Sequence, residues 1–588
     1  MNKDNPTLAY FDAEMRYLRE AAKEYAAAFP DRASALNLDK PGAQDPAVEQ
    51  LFQGFAFLMG RLREKLDDDL PELTEGLVGL VSPQYLRMIP SLSIVEFSPD
   101  IHEMKTSETI RKGFEVRSRP VGPEDTRCRY TTTQDLTLRA LSLDGVEVGQ
   151  QADGRSLIRL RFSLGKLVQG DTMDLSSLPL YLNASAPVAS ALHQALALNA
   201  RKVYLRKGSS EREEVAVKFS PKGFGDEDRL WPHADDRSSG CPLLLEYFSF
   251  PEKFMFLTIK GLEQVKLDAN TKAFELEVVL GQPWPRGFAL SAEHVRLHAV
   301  PVINLFALEA DPLALDPLQT DYRVRPAHVE DADTEIYSVD SVIAGKRAAR
   351  HEYVPFTHFQ HRGGTLRDDA PERYFHTRLK PAPDGSHATW LVLGGDGFEQ
   401  DRLNPAHRLT LQLTGTNGRL PRMALAETVL DQPAQSSRRT LTVRNLCAPT
   451  MPCYAPDRDR FHWRVLSHLG SSFLPLLDNA EVLRNTLALY DWTDSALNRR
   501  RLQSIIEVRH HLIQRFEGGF LLRGVDIEVT LEAGNFAGEG DICLFGELLS
   551  RFFAQYADIH LFNQLTLILQ PQDKHLRWSE NHSQRVPG

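Results

Sequence analysis

The first ninety residues carry apolar side chains at helical spacing. In the first stretch the intervals alternate between four and three positions, which is the heptad seam of a helix that packs against other helices. The residues on this seam are Phe11, Met15, Leu18, Ala22, Tyr25 and Phe29. Pro30 and Asp31 then end the helix. We therefore expect the chain to begin with a helix that has one continuous apolar face.

A second helix is expected to begin at Asp45, which can cap the first turn, with Pro46 in the first helical position. A third, shorter helix is expected from about Leu73 to Val81, before Pro83. The second helix carries a wide stripe of aliphatic and aromatic residues, formed by Val48, Leu51, Phe52, Phe55, Leu58, Leu62 and Leu66. Two helices with such wide apolar faces cannot cover each other completely, which favours contact with helices of another chain. The alternative is that the stripe forms core within this chain.

From about residue 91 the apolar period changes to two, which is the period of a half-buried β-strand. It appears first in Ile94 to Phe97, and it continues through the middle of the chain. The clearest alternating sets are Ile158, Leu160, Phe162 and Leu164; Phe274, Leu276, Val278 and Leu280; and Leu409, Leu411 and Leu413. The pattern predicts two β-rich domains, residues 91–299 and 300–445.

Helical and strand patterns alternate after residue 446. Asn479 is expected to cap a helix from Val482 to Tyr490, and Asp494 one from Leu497 to Glu507. A compact unit should follow, with a strand at Val525 to Leu531, a helix carrying Ile542, Phe545, Leu549, Phe552 and Tyr556, and a last strand at Leu565 to Leu569. The fold class predicted for the whole chain is therefore α+β and multidomain: a helical segment at 1–90, two β-rich domains, and a mixed α/β docking domain at 446–588.

Composition and charge exclude several classes of protein. The 588 residues would fill about three to five domains, and the formal charge of -11 would repel nucleic acid over most of the surface. The sequence shows no signal peptide and no apolar run of membrane-spanning length. The five cysteines favour reduced thiols over a disulfide framework. A cytoplasmic protein without direct membrane insertion is the expected result.

Two groups of residues could hold a metal ion, and both have unsuitable spacing. Cys447, Cys453, His462 and His468 are zinc-type ligands, but the two cysteines are too far apart in sequence and the two histidines would lie about 120° apart around a helix. A second group contains His351, His358 and His361; in a strand, His358 and His361 would point to opposite faces. We expect no metal site here.

Catalytic motifs are also missing from the sequence. The glycines Gly394, Gly395 and Gly397 follow an apolar run, but the lysine and hydroxyl residue of a phosphate-binding loop are absent, and a tight hairpin turn is the simpler expectation. No nucleophile elbow or zinc-protease helix is present. The sequence therefore predicts no catalytic residue, no cofactor site and no enzymatic activity.

Five blocks of the sequence resemble the TssF family, also called VasA or ImpG, in the same order as in that family. They are DDDLPELTEGLVGLVSPQYLRMIPSLSIVEF (67–97), EYFSFPEKF (246–254), VPVINLF (300–306), WRVLSHLGSSFLPLL (463–477) and FAGEGDICLFGELLSRFFAQYADIHLFNQL (536–565). The resemblance spans nearly the whole chain. It implies a structural wedge subunit of the type VI secretion baseplate, a contractile injection machine similar to a phage tail.

The resemblance also implies partners: TssG-like, TssK-like and TssE-like baseplate proteins and a second copy of this chain, supporting assembly of sheath and tube. The residues expected to meet partner helices are Phe11, Met15, Leu18, Tyr25, Phe29, Phe52 and Phe55. One alternative is a metal-dependent hydrolase that uses the cluster around His358. Another is an exported glycan-binding module, which the missing signal peptide disfavours.

Overall fold

A computed structural model of the chain describes the residues from 82 onward with short gaps, and scattered helical residues before them. The described residues are 11, 14–18, 21–22, 50–59, 75–79, 82–208, 212–231, 242–265, 267–316, 319, 321–327, 333–345, 350–356, 373–381, 387–395, 397–398, 401, 408–423, 428–434, 441–456, 461–470, 477–517, 520–555 and 561–582. They belong to two compact units. One contains residues 1–81 and 457–467, and the other contains 82–456 and 468–588.

The first unit is helical wherever it is described. Helical residues 11, 14–18 and 21–22 lie within the first predicted helix, 50–59 within the second and 75–79 within the third. The predicted helix start at Asp45 and Pro46 lies outside the described residues. Residues 461–467 of a further helix complete the unit.

The second unit begins with a run of strands that contains two helices, α1 (Ala186–Ala197) and α2 (Pro242–Ser249). The strands up to residue 303 are β1 (Leu92–Pro99), β2 (Glu108–Ile110), β3 (Glu115–Val121), β4 (Thr126–Thr132), β5 (Leu136–Leu138), β6 (Leu141–Gln150), β7 (Ser156–Leu164), β8 (Ser177–Leu182), β9 (Ala200–Arg206), β10 (Glu213–Val215), β11 (Lys218–Pro221), β12 (Phe256–Lys260), β13 (Ala273–Leu280), β14 (Val295–Arg296) and β15 (Ala299–Ile303).

A second run of strands follows, with one short helix, α3 (Leu420–Met423). These strands are β16 (Phe306–Glu309), β17 (Leu313–Ala314), β18 (Asp321–Arg323), β19 (Glu335–Ala344), β20 (His351–Pro355), β21 (Tyr374–Pro381), β22 (His387–Gly394), β23 (Arg408–Thr416), β24 (Leu430–Pro433) and β25 (Leu441–Asn445).

The last stretch alternates helices with strands. The helices are α4 (Phe461–Gly470), α5 (Ala480–Ala488), α6 (Ala496–Gln503) and α7 (Glu539–Ala554). The strands are β26 (Ile505–Glu517), β27 (Phe520–Glu532), β28 (Leu561–Gln570), β29 (Lys574–Arg577) and β30 (Asn581–His582). This arrangement of helical, β-rich and mixed regions confirms the predicted α+β multidomain class.

A central sheet contains strands that are far apart in sequence. Its order is β24-β3-β4-β15-β1-β25, so that β1 pairs with both β15 and β25. The predicted boundary between residues 299 and 300 falls inside β15. Residues 141–298 and 306–416 are therefore two long insertions between strands of this central sheet. Local periodicity cannot reveal such an arrangement, because pairing partners hundreds of residues apart leave no mark on the pattern of either strand.

The first insertion folds into two sheets, and buried residues of α1 share one core with both of them. One sheet has the strand order β10-β9-β13-β7-β6, and the other has the order β11-β12-β8-β14. The predicted alternation is confirmed: Phe162 pairs with Phe274 on the buried face, with ring centroids 5.0 Å apart. On the other face Arg161 Nε lies 3.0 Å from Glu275 Oε2. One face of the sheet thus forms the core and the other carries ion pairs.

The second insertion forms an eight-stranded sheet in the order β16-β23-β19-β20-β21-β22-β18, with β17 beside β23. Leu409, Leu411 and Leu413 of β23 are buried in its core, as their alternation predicts. The predicted hairpin turn after Gly394 is wrong. Strand β22 pairs with β21 and β18, whereas the next strand, β23, pairs with β19 and β16.

Two asparagines join the eight-stranded sheet to the central sheet. Asn304 lies where the chain leaves β15, and Asn417 lies where it returns from β23. Asn304 Nδ2 donates to Asn417 Oδ1 at 2.9 Å, and the backbone N of Asn417 donates to Asn304 Oδ1 at 2.6 Å. Both side chains are buried. The two segments that connect the central sheet with the eight-stranded sheet therefore hold each other in position.

This amide pair also binds the neighbouring strands. Asn304 Nδ2 donates to the carbonyl of Arg129 at 2.7 Å, and the backbone N of Arg129 donates to Asn417 Oδ1 at 3.0 Å. Thr416 Oγ1 donates to Asn304 Oδ1 at 2.7 Å, and Asn417 Nδ2 donates to the carbonyl of Asp333 at 3.1 Å. A buried amide with most of its hydrogen-bonding capacity used specifies one geometry, since any shift leaves polar groups unpaired.

In the C-terminal region, a sheet of order β26-β27-β28-β29, with β30 beside β28, packs against α7. Asn479 caps α5 as predicted, because its Oδ1 accepts from the backbone N of Val482 at 2.9 Å. The cap predicted at Asp494 is wrong by one residue, and α6 ends at Gln503 where Glu507 was expected. Residues from Ile505 onward enter β26, because Ile505 and Val508 are buried against β27.

Within the described residues, no helix combines the length and the apolar composition needed to cross a bilayer.

The asparagine pair gives a first testable prediction. We expect Asn304→Ala to lower the free energy of unfolding by about 1–3 kcal/mol, because several buried groups lose their partner. Asn199→Ala removes an exposed amide contact of 3.5 Å and serves as a control that should change stability little. Denaturant unfolding of both variants is the measurement. Equal stability of the two would show that the junction does not depend on the amide pair.

Candidate assembly surfaces

The predicted seam of the first helix is partly buried. Met15 and Ala22 are buried, and Phe11 and Leu18 are half-buried. Tyr25 and Phe29 lie outside the described residues. The Met15 side of the seam is thus buried, while the half-buried residues retain some accessible surface.

The second helix has two apolar sides with different exposure. Ala56 is fully buried, and Phe52 and Met59, four residues before and three after it, are half-buried. The adjacent side carries what we call the exposed stripe: Leu51, Phe55 and Leu58, which are 71%, 52% and 67% exposed. Their spacing of four and three places them in one line along the helix. Phe57 beside them is also exposed.

The exposed stripe is unusual for a surface helix. A helix that packs on one side normally presents polar residues on the other, whereas this helix places two leucines and a phenylalanine in water. Burial of one such side chain stabilises by about 1.5–3 kcal/mol. Contiguous apolar surface of this kind is typical of protein interaction sites. Of the residues predicted to meet partners, Phe55 lies on the exposed stripe and Phe52 next to it.

The sequence block 246–254 lies in the interior, where the first insertion meets the C-terminal region. Glu246 and Lys253 form an ion pair in which both side chains are 1% exposed, and Glu246 Oε1 also accepts from the backbone N of Leu230 at 2.8 Å. Tyr247 is fully buried, and burial raises its pKa well above the ordinary value. Burial also raises the pKa of Glu252. These residues stabilise a junction and are not available to a partner.

Helices α6 and α7 complete this junction. Arg501 Nη2 donates to Asp541 Oδ1 at 2.8 Å with both side chains buried, and the Arg501 guanidinium lies 5.2 Å from the ring centroid of Tyr247. A buried pair of this kind is costly to break, because removing one partner leaves the other charge without compensation. At Gly540 an added Cβ would lie 2.1 Å from the carbonyl oxygen of Ser190, so α7 approaches α1 directly.

The aromatic stripe of α7 is core, as the sequence predicts. Phe545 and Phe552 have no exposed surface. Phe545 lies 6.1 Å from Tyr247 by ring centroids, and Phe552 lies 6.1 Å from Tyr490. The C-terminal region therefore shares its core with the 242–254 segment and does not close it alone.

The candidate metal ligands are engaged in other contacts or lie outside the described residues. Cys447 Sγ accepts from the backbone N of Ile94 at 3.2 Å. His468 Nε2 lies 3.0 Å from the Tyr490 hydroxyl, and burial lowers the pKa of His468 to about 4. His351 is exposed on β20, whereas His358 and His361 are not described. In the described part of the chain, no three His, Cys, Asp or Glu residues are placed to hold a metal ion.

A further buried arrangement fixes the eight-stranded sheet. Arg373 donates to both oxygens of Asp401, from Nε at 2.7 Å and from Nη2 at 3.0 Å, and the Tyr353 hydroxyl donates to the same carboxylate at 2.8 Å. This bidentate, charge-assisted pairing fixes Asp401 against β20 and the start of β21. We assign it a structural role.

Comparison with known proteins gives these surfaces their context. A family model for the type VI secretion system protein TssF matches residues 3–585. Type VI secretion system component TssF1 of Pseudomonas aeruginosa is 28% identical over 627 aligned residues, which cover 99% of each chain. The chain belongs to the TssF family of the type VI secretion system.

Two solved structures contain similar chains. One is the cryo-electron microscopy structure of the TssK-TssF-TssG baseplate subcomplex, with a TM-score of 0.82, 54% identity, and coverage of 92% of this chain and 100% of that chain. The other is the baseplate complex from the type VI secretion system, with a TM-score of 0.69, 52% identity, and coverage of 99% and 100%. The prediction of a baseplate subunit of a type VI secretion system is confirmed.

The stripe of α7 supplies a second prediction. Phe552→Ala should lower the free energy of unfolding by about 3–5 kcal/mol, because it leaves a cavity in a core that is fully closed. Phe356→Ala is the matched control, since that ring is 56% exposed and its loss should change stability little. Thermal and denaturant unfolding of the full chain report both. A Phe552 variant as stable as the control would contradict the buried position of the ring.

A third prediction concerns pH. Burial lowers the pKa of His468 from 6.5 to about 4, so the unfolded chain binds this proton more readily than the folded protein. Stability contributed by the neutral imidazole is therefore lost as the pH falls from 6.5 towards 4. His468→Gln should make unfolding less dependent on pH in that range. Denaturant unfolding of the wild type and of the His468 variant across that range is the measurement, and identical profiles for the two would contradict the account.

Proposed function

We propose that this chain acts in the baseplate by assembly and not by catalysis, and that the exposed stripe Leu51–Phe55–Leu58 is the surface that docks with helices of other subunits. The observation that carries the proposal is the exposure of three large apolar side chains in one line of a helix. The apolar seam residues Phe11, Met15, Leu18, Tyr25 and Phe29 fall in the same predicted helical segment and would complete the bundle. We assign the chain no catalytic role, because no residue set with catalytic geometry supports one among the residues that the structure describes.

The partners that fit are the baseplate proteins named with the similar chain. The solved subcomplex unites TssK, TssF and TssG, and proteins like TssK and TssG are therefore the partners proposed for this chain. A TssE-like protein and a second copy of this chain are proposed as further wedge members, supporting sheath and tube assembly in the cytoplasm. An amphipathic partner helix would lay its own apolar residues along the exposed stripe, with anchors at helical spacing.

A fourth prediction tests this surface. Leu51→Asp combined with Leu58→Asp should abolish or strongly weaken complex formation, because two charges would have to be desolvated against an apolar partner. The chain should keep its own fold, since both side chains are already in water. Co-expression with the TssG-like and TssK-like proteins, followed by size exclusion and mass measurement of the purified complex, is the experiment.

Two controls separate docking from folding. Leu198→Asp changes a leucine of similar exposure, 55%, in the other compact unit, and should leave the complex intact. Met15→Asp with Leu18→Asp changes the partly buried seam, where loss of the complex should be accompanied by lower stability of the helical unit. If the Leu51 and Leu58 double variant forms the full complex at wild-type yield, the exposed stripe is not the docking surface.

A further inference from the structure

Two chain segments that connect the helical unit with the larger unit are hydrogen-bonded to each other. We call them the neck: residues 82–91, which follow the first crossing between the units, and residues 447–456, which precede the second. The backbone N of Ile89 donates to the carbonyl of Cys453 at 2.7 Å, and the backbone N of Cys453 donates to the carbonyl of Ile89 at 2.9 Å. The neck is therefore a paired element of the larger unit.

Both segments of the neck contact the first residues of strand β19. The Tyr454 hydroxyl donates to the carboxylate of Glu335, at 2.7 and 2.8 Å from its two oxygens. The guanidinium of Arg87 lies 5.4 Å from the ring centroid of Tyr337. The eight-stranded sheet is thus attached to the neck through two residues at the start of one strand.

The ring of Tyr454 lies against two further side chains. His387 of β22 stacks on it, with ring centroids 5.1 Å apart and an angle of 25° between the planes, and the Arg419 guanidinium lies 5.3 Å from its centroid. Tyr454, Glu335 and His387 are all half-buried, whereas the asparagine pair nearby is buried. Contacts that already reach water open locally at a lower cost than contacts in the core.

The closed arrangement leaves polar atoms at the start of β22 without partners. His387 Nδ1 and Thr389 Oγ1 are shielded from water and have no hydrogen-bond partner in the part of the chain that the structure describes. The two residues are two positions apart and lie on the same face of the strand. A buried polar atom without a partner raises the free energy of the state that buries it. Movement of Tyr454 away from His387 would let water reach the imidazole.

We propose that these contacts form a releasable latch between the neck and the eight-stranded sheet. The hydrogen bonding of Tyr454 to Glu335 stabilises the closed state, and the burial of His387 Nδ1 opposes it. Opening of the latch frees residues 454–456, which lead directly into the helical unit. The latch therefore sets how freely this connection moves. The exposed stripe is not part of it, so the inference adds a conformational device to the proposed docking and does not depend on which partner docks.

Amide hydrogen exchange of the isolated full-length chain, followed at several low denaturant concentrations, tests the latch. In the wild type, residues 447–456 and 335–339 should exchange faster than the core strand β7, and their exchange should depend little on denaturant, because a local opening exposes little surface.

Two substitutions should shift this opening in opposite directions. Tyr454→Phe keeps the ring and removes the hydroxyl, so exchange in the neck should become about tenfold faster, since a hydrogen bond to a charged group is lost. His387→Phe keeps a ring against Tyr454 and removes the unpartnered nitrogen, so exchange in the neck should become slower than in the wild type. A contact with a purely structural role would not give opposite effects at these two positions.

Tyr353→Phe is the matched control. It removes another tyrosine hydroxyl that donates to a carboxylate in the same sheet, that of Asp401 at 2.8 Å, and should leave exchange in the neck as in the wild type. A neck that exchanges only together with β7, a Tyr454→Phe variant with wild-type exchange in the neck, or a His387→Phe variant with faster exchange would each overturn the proposal. Complex formation with TssK-like and TssG-like proteins tests the docking surface separately, since none of these substitutions changes the exposed stripe.

Discussion

The arrangement of the β-rich unit depends on the hydrogen bonds between Asn304 and Asn417. The chain leaves the central sheet at one of these residues, forms the whole eight-stranded sheet, and returns at the other. Because each amide is bound to the other and to the adjacent strands, the two crossings form one fixed junction. If its two connections were not fixed, the large inserted sheet would be free to move relative to the central sheet. With the amides paired and buried, movement would expose unsatisfied polar groups.

A second junction fixes the C-terminal region to the first insertion. It combines the buried pairs Glu246–Lys253 and Arg501–Asp541 with the ring of Tyr247. Both junctions coincide with sequence blocks that carry the family resemblance, 300–306, 246–254 and 536–565. Those blocks therefore contain residues that join different regions of one chain. The surface proposed for partners lies elsewhere, on the exposed stripe.

The sequence predicts local elements well and their pairing poorly. Alternation identifies the strands around Phe162 and Phe274, and the aromatic spacing of α7 identifies a buried stripe, because each depends on the nearest neighbours in sequence. The asparagine cap of α5 is local in the same way. The central sheet is different: its neighbours β1, β15 and β25 are separated by about two hundred residues and more, and their pairing is decided by tertiary packing. The hairpin expected after Gly394 fails for this reason.

Exposure is the other quantity that periodicity cannot supply. The stripe through Leu51, Phe55 and Leu58 has the same pattern as a core helix, and only the folded chain shows that Ala56 faces inward while these three face water. Leu512 of β26 is a similar case: it alternates with the core residue Val508, yet it is 70% exposed. Surfaces for assembly look like core in a sequence because they become core in the complex.

The most direct test of this account is amide hydrogen exchange of residues 50–59 in the isolated chain and in the complex with TssK-like and TssG-like proteins. The account predicts markedly slower exchange in this helix on assembly, because the exposed stripe becomes buried and the helix can no longer open locally. Strand β7, whose core residues are already buried, should exchange at the same rate in both states. Unchanged exchange in residues 50–59 within a fully formed complex would contradict the claim that this helix is the docking surface.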